Sequence, residues 1–254
     1  MSELRRVFSE CAYVLHQRAY SETSLLLDIF SRNYGRVVLI AKGVKQKKSR
    51  TRGILGPFQQ LLCSWSGRGE IKTLIGADAV GPIERLVGPR VFCGYYINEL
   101  ILKMLHREEQ HESLFEAYML AIQSISRDRD VERVLRIFEK CLLRELGYGL
   151  HLSQDSESSS PIDPDAVYCY VRQVGPIMAD GQGCEEGLLI HGESLAALRE
   201  EHLFSDLHRK ELKRLTRSAL NESLEGRRLR SRDMFNQLYI DVSGNLGRPS
   251  PGDV

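Results

Sequence analysis

Five short apolar segments stand within the first eighty residues, and nothing between them is long enough to be a crossover helix. They read "CAYVLHQRAY", "SLLLDIFSR", "GRVVLIAKG", "FQQLLCSWSG" and "EIKTLIGADAV", and they are rich in Val, Ile, Leu and aromatic residues. Gly, Asn and charged clusters separate them: "RNYG", a basic run and "GRGE". Parallel strands need connections of a dozen residues or more, usually a helix, so a doubly wound sheet is excluded here. A small closed or semi-closed barrel over residues 1–80 is what this spacing allows. The start of "SETSLLLDIF" fits either period and is compatible with a helical turn.

Past Pro82 the period changes. "YYINELILKMLHREEQ" sets Tyr96, Leu100 and Met104, and also Ile97, Ile101 and Leu105, four residues apart. "SLFEAYMLAIQSIS" places Ser113 and Glu116 in capping-box register ahead of an apolar face. "VERVLRIFEKCLLRELGYG" is apolar around most of its girth, as a helix between other helices should be, with Gly147 placed to end it. Residues 81–150 therefore read as a helical bundle. The polar, Ser-rich stretch 151–166 reads as an exposed, mobile loop. "VYCYVRQVGPIMA" suggests one or two short strands, helical spacing returns from Ser194, and 241–254 reads as a disordered tail. The expectation is an α+β multidomain chain: barrel (1–80), helical domain (81–150), a small mixed C-terminal segment (151–240) and a tail.

The formal net charge of +1 hides a segregation. Residues 1–80 hold 13 Lys or Arg against 6 acids, residues 81–204 hold 12 against 21, and residues 205–254 hold 10 against 7. Within the first block, "AKGVKQKKSRTRG" carries six cations and no acid: Lys42, Lys45, Lys47, Lys48, Arg50 and Arg52. A solvated loop is the ordinary fate of such a run. Here it lies between two barrel strands, with Arg36, Arg68 and Lys72 on neighbouring segments and Trp65, Phe58 and Tyr34 as candidate rings for base stacking, although Trp65 shares parity with Leu61 and Cys63 and so fits the core better than a platform. A positive groove beside an aromatic platform holds single-stranded nucleic acid without reading its sequence. If all six loop cations met phosphates of a single strand, log K would fall with log[salt] at a slope of about −4. A second cluster, Arg209, Lys210, Lys213, Arg214 and Arg217, recurs at four-residue spacing. It is a solvated helix face, a second phosphate contact or a receptor for an acidic protein tail.

Catalytic patterns are absent or misaligned. There is no phosphate-cradling G-x-x-x-x-G-K-[ST], "HREEQH" sets His106 and His111 five apart where a zinc helix needs four, and "GESLA" around Ser194 is not a nucleophile elbow. The six cysteines contain no C-x-x-C pair, which argues for reduced, mostly buried thiols and against a metal site. No apolar run approaches the ~18 residues of a membrane span. The N-terminus lacks the apolar core of a secretory signal, so a cytoplasmic location is expected. A binding protein with no cofactor fits best. A metal-dependent nuclease or other DNA-processing enzyme, whose acids converge only in the fold, is the alternative. A structural adaptor that binds an acidic protein is a third possibility.

"ETSLLLDIFSRNYGRVVLIAKGVKQKKSR" resembles the N-terminal signature of the RecO family of bacterial recombination mediators. "PFQQLLCSWSGRGEIKTL", "YYINELILKML", "FEKCLLRELGYG" and "LRSRDMFNQL" resemble its later blocks, in order along almost the full chain. The resemblance, nearest the proteobacterial branch, implies an N-terminal OB-fold, a central helical domain and a C-terminal segment. It further implies binding to single- and double-stranded DNA and annealing of complementary strands in the RecF pathway of recombinational repair. The partners it implies are the acidic C-terminal tail of single-strand binding protein, RecR and the RecA recombinase, which is loaded on coated DNA in the nucleoid. Many relatives carry a four-cysteine zinc module after "LGYG". Only Cys169 and Cys184 stand there in this chain, so that zinc is expected to be lost. For the tail, the bundle offers Arg133, Arg136 and Arg144 beside Leu135, Phe138 and Leu142. Arg136 is the favoured carboxylate partner, with Arg209, Lys213 or Arg217 as the alternative.

Overall fold

A computed structural model describes residues 5–47, 49–81, 85–127, 130–179, 184–185, 187–202 and 204–234. Lys48 and the expected tail 241–254 lie outside the described residues. The five N-terminal segments form strands β1 (Arg5–Ala19), β2 (Leu25–Ser31), β3 (Gly35–Ala41), β4 (Gln60–Gly67) and β5 (Ile71–Ala79). They close into a barrel in the order β1-β2-β3-β5-β4. β1 makes closure possible because it pairs with β2 through its C-terminal half and with β4 through its N-terminal half. Register shifts at Val7/Glu10 and Val14/His16 bend it, as bulges do. β3 and β5 pair in parallel, Val38 with Ile71 through Ile40 with Thr73. This is the small closed barrel that the segment spacing suggested, in the OB-type form that the resemblance implied. Alternation sets its inside: Leu61, Cys63 and Trp65 of β4 point into the core, while Leu62, Ser64 and Ser66 face out. Residues 21–23 form bends, not helix, before β2.

Helices α1 (Pro89–Met104), α2 (Glu112–Arg127) and α3 (Val131–Glu145) follow. Asp130 caps α3 by accepting a hydrogen bond from the Arg133 amide, and Gly147, at φ +82°, ends it. Two expected boundaries move. α2 begins at Glu112, with the Phe115 amide bonded to the His111 carbonyl, so Ser113 lies inside the helix and is not its cap. α1 stops at Met104, so "HREEQ" is a connector that reaches back to the barrel.

A second, three-stranded sheet, ordered β7-β6-β8, is built from β6 (Val167–Val171), β7 (Gly175–Met178) and β8 (Gly187–His191). α4 (Gly192–Glu200) and α5 (Asp206–Ser223) complete the chain. Stretch 151–166 is exposed along much of its length but is pinned. Asp155 Oδ1 accepts from the Glu157 amide at 3.0 Å and from both the amide and hydroxyl of Ser158, while Oδ2 accepts from the Met178 amide at 2.7 Å. Those bonds, the Ser158 amide foremost, hold the Asp155 carboxyl below the usual range. Leu152 and Ile162 are buried against the sheet. The expectation of a mobile loop therefore gives way to an anchored one.

The reading of all six cysteines as reduced thiols is also corrected. Cys169 and Cys184 are joined as a disulfide across a Cα separation of 5.4 Å. The other four are free, and burial pushes the Cys63 thiol up to about 12. Among the described residues no three His, Cys, Asp or Glu side chains converge to hold a metal ion. Among the described residues after "LGYG", both cysteines are taken up by the disulfide and no donor set for zinc remains. Among the described residues no helix is long and apolar enough to cross a membrane.

The barrel and helices share one core. Tyr13, Leu15 and Phe30, on the outer face of β1 and β2, join the cluster formed by α1–α3. Tyr13 and Phe30 interlock with Phe115 and Tyr118 of α2 at ring separations of 5.0–6.0 Å. Asn98 of α1 donates to the Leu15 carbonyl at 2.9 Å and accepts from the Tyr118 hydroxyl at 2.8 Å, so the seam is hydrogen-bonded as well as apolar. At the β2–β3 turn Gly35 has φ +59°, and a Cβ there would lie 1.8 Å from the Glu109 carbonyl oxygen. Gly35→Ala is predicted to destabilise the protein by more than the ~1–2 kcal/mol that a left-handed backbone alone costs, because the connector must also move. Urea unfolding of the variant measures this.

Candidate nucleic-acid interface

The basic run is a structured loop. Val44, Ile54 and Leu55 pack into the barrel interior, and tight turns close at Gly43–Gln46, Gln46–Ser49 and Thr51–Ile54. Burying three apolar residues fixes the loop's course, and the intervening cations are left outside. Lys42, Lys47, Arg50 and Arg52 are exposed. Lys45 is half-buried and ties the loop to the β1–β2 turn. Its amide donates to the Thr23 carbonyl at 3.0 Å and its Nζ to the Ser21 carbonyl at 2.7 Å. None of these five forms an ion pair among the described residues.

Three further expected cations sit elsewhere. Arg68 is exposed on the β4–β5 turn, at the other end of β4 from the loop. Arg36 is turned into the helices: its Nη1 donates to the Leu102 and Leu105 carbonyls at 2.6 and 2.8 Å, and Asp28 lies 3.7 Å from Nη2. Burial lowers its pKa, partly opposed by Asp28. Lys72, only 9% exposed, pairs with Glu108 of the connector. Both side chains tie the barrel to the helices. The expected stacking rings are likewise occupied. Trp65, at 1% exposure, is barrel core and meets Tyr34 edge-on at 5.5 Å, and Phe58 is buried against Tyr95.

The second cluster splits in two. Arg209 pairs with Asp130 and Asp206, and Lys213 with Glu132, fastening α5 to α3. Lys210, Arg214 and Arg217 are exposed, and none forms an ion pair among the described residues. Arg217 stands on the rim of a 450 Å³ groove between α1, α3 and α5, walled by Phe92, Val131 and Leu135 and also rimmed by Arg90 and Arg232. The groove brings Leu135 and Arg136 of the first expected place together with Lys213 and Arg217 of the second, while Arg209 lies outside it. Arg136 also lines the groove, but it is 6% exposed and its Nη2 bonds Glu139 at 2.6 Å. Glu139 is fully buried and accepts from the Tyr96 hydroxyl as well. Phe138 and Leu142 belong to the core, and Arg133 turns to the Glu201 carbonyl. Sequence reasoning passed over Arg90, because Pro89 and Gly94 obscure the first turns of α1. Arg232 closes "RRLRSR", the basic run that follows the second cluster.

The Ser194 region has a structural account. Its hydroxyl donates to Glu211 at 2.6 Å, and Glu211 also accepts from the His191 amide and meets His191 Nδ1 at 2.7 Å. Serine and histidine both point at the carboxylate, so the histidine does not face the hydroxyl as in a Ser–His pair, and the hydroxyl itself is fully buried. Burial raises the Glu211 carboxyl, but these bonds outweigh it and the net shift is downward.

Two family descriptions match the chain: "Recombination protein O N terminal" over residues 5–83 and "Recombination protein O C terminal" over residues 86–233. The chain is similar to the "DNA repair protein RecO" of Aromatoleum aromaticum, 41% identical over 245 residues that cover 94% of this chain and 99% of the relative. The protein of that name from Nitrosococcus oceani is 40% identical over 243 residues, covering 96% and 98%. That from Coxiella burnetii is 40% identical over 232 residues, covering 91% and 99%.

Removing Arg136 strands the buried Glu139 charge. Arg136→Ala should therefore cost about 3–5 kcal/mol in denaturant unfolding, whereas Arg217→Ala, at the exposed rim, should change stability by less than about 0.5 kcal/mol.

Proposed function

Because the chain belongs to the RecO family of DNA repair proteins, we propose that it holds DNA backbones on loop 42–53 and anneals complementary single strands without cutting a bond. The observation that carries this reading is a loop locked to the barrel by Val44, Ile54 and Leu55, whose outward cations have no acid partner among the described residues. Rigid, unpaired cations neutralise phosphates with little ordering cost, and the counterions they displace supply the driving force. Two strands neutralised together lose the repulsion that keeps them apart, so base pairing sets the rate. Lys42, Lys47, Arg50 and Arg52 are the principal contacts, with Lys45 and Lys48 in the same loop and Arg68 at the far end of β4. Arg36 and Lys72 are left out because their charges already serve the seam.

In this reading the protein also receives the acidic C-terminal tail of single-strand binding protein, and acts with RecR to help load recombinase on the coated DNA. Such a tail presents acids, an apolar end and a free carboxylate. The groove between α1, α3 and α5 has matching chemistry: apolar walls of Phe92, Val131 and Leu135, and a rim of Arg90, Arg217 and Arg232.

Reversing Lys42, Lys47 and Arg50 to Glu should abolish annealing of complementary oligonucleotides and flatten the salt dependence of binding, while the fold survives. Unchanged annealing in that variant would overturn the assignment. A peptide of the acidic tail should bind the parent protein and lose at least about tenfold in affinity on Arg217→Glu. Affinity that survives the change places the tail elsewhere.

A further inference from the structure

We propose that Tyr20 is the platform on which a DNA base stacks beside loop 42–53. The inference rests on the reading of the barrel as the DNA-holding unit and adds a contact to bases where the loop supplies contacts to phosphates.

A barrel of this strand order offers oligonucleotides the outer face of β2 and β3 together with the turns that flank it. Here half of that face is covered. Phe30, near the end of β2, packs on Phe115 and Tyr118, and Arg36, at the start of β3, is bonded to the C-terminal carbonyls of α1. The other half is where Leu25 pairs with Ala41 and with Ala19. At that end the β1–β2 turn meets loop 42–53.

The turn is rigid and belongs to the loop. The Tyr20 and Ser21 amides both donate to the Ser24 carbonyl, and the Ser24 amide donates to Ser21 Oγ at 3.2 Å. The two bonds from Lys45, to Thr23 and Ser21, then fasten the loop to the turn. Tyr20 opens this turn with 58% of its surface exposed. Arg18, two residues back on β1, is exposed as well. Among the described residues the other exposed aromatics lie elsewhere: Phe8 in the half of β1 that pairs with β4, Tyr95 on α1 and Tyr148 beyond α3.

An exposed ring on a fixed turn costs little to order when a base lands on it. It also contributes an attraction that salt does not screen. Cations alone would hold a backbone and leave its bases free to turn away. A ring beside them presents at least one base outward from the loop, ready to meet its complement.

The test uses the full chain with labelled oligothymidylate and with an abasic deoxyribose-phosphate strand of equal length. Tyr20→Ala should weaken oligothymidylate binding about tenfold, leave the salt slope unchanged, and bind the abasic strand like the parent. Tyr20→Trp should keep the affinity. Since Trp65 is the chain's single tryptophan and is buried, quenching of the new exposed indole by oligothymidylate reports the stack directly. Equal oligothymidylate affinity of Tyr20→Ala and parent overturns the inference, as does an equal loss on the abasic strand. If the parent binds in a salt-dependent way and loop reversal abolishes binding while Tyr20→Ala changes nothing, only the stacking contact falls. If the parent binds neither strand, the barrel reading falls with it.

Discussion

The seam between barrel and helices decides which surface of this protein is available for anything else. Four aromatic rings, Tyr13, Phe30, Phe115 and Tyr118, interlock across it, and Asn98 bonds both β1 and α2. Ring pairs at such separations contribute beyond the area they bury, and a buried amide with partners on both sides fixes one docking geometry. The helices thereby occupy the half of the β2–β3 face nearest Phe30 and Arg36. In the proposed reading DNA approaches from the other half, where loop 42–53 and the β1–β2 turn stand.

The same seam sorts the charges. Several acids of the middle third are spent in pairs across the fold: Glu108 meets Lys72, Asp130 meets Arg209 and Glu132 meets Lys213. Asp28 within the barrel and Glu70 on its β4–β5 turn are likewise matched, to Arg36 and Arg107. Loop 42–53 has no acid in its own sequence and meets none among the described residues. A chain of formal net charge +1 can therefore present a concentrated positive surface. Near-neutral totals say little about partners when the pairing is this unequal.

Much of this was legible beforehand. Short segments rich in Val, Ile, Leu and aromatics, and the absence of crossovers, marked all five barrel strands, and Gly147 marked the end of α3. Charge density alone picked out loop 42–53. What stayed hidden depends on contacts distant in sequence. Arg36 and Lys72 look like their neighbours in composition, and only the docked connector shows that they are already bound. Trp65 shared parity with Leu61 and Cys63, a hint of its core position, yet Tyr34 and Phe58 carried no such sign. Stretch 151–166 has the composition of a mobile loop, and the hub at Asp155 works through backbone amides that no side-chain pattern reveals. β8 is too short to stand out, and the bond between Cys169 and Cys184 joins residues whose spacing of 15 matches no motif.

Lysine acetylation in the presence and absence of a saturating oligonucleotide, read residue by residue in the mass spectrometer, tests the central claim most directly. The account predicts that Lys42 and Lys47 are reactive in the free protein and protected by DNA, that Lys72 is slow in both states, and that Lys210 is unaffected. Protection confined to Lys210, with Lys42 and Lys47 still freely modified, would contradict it.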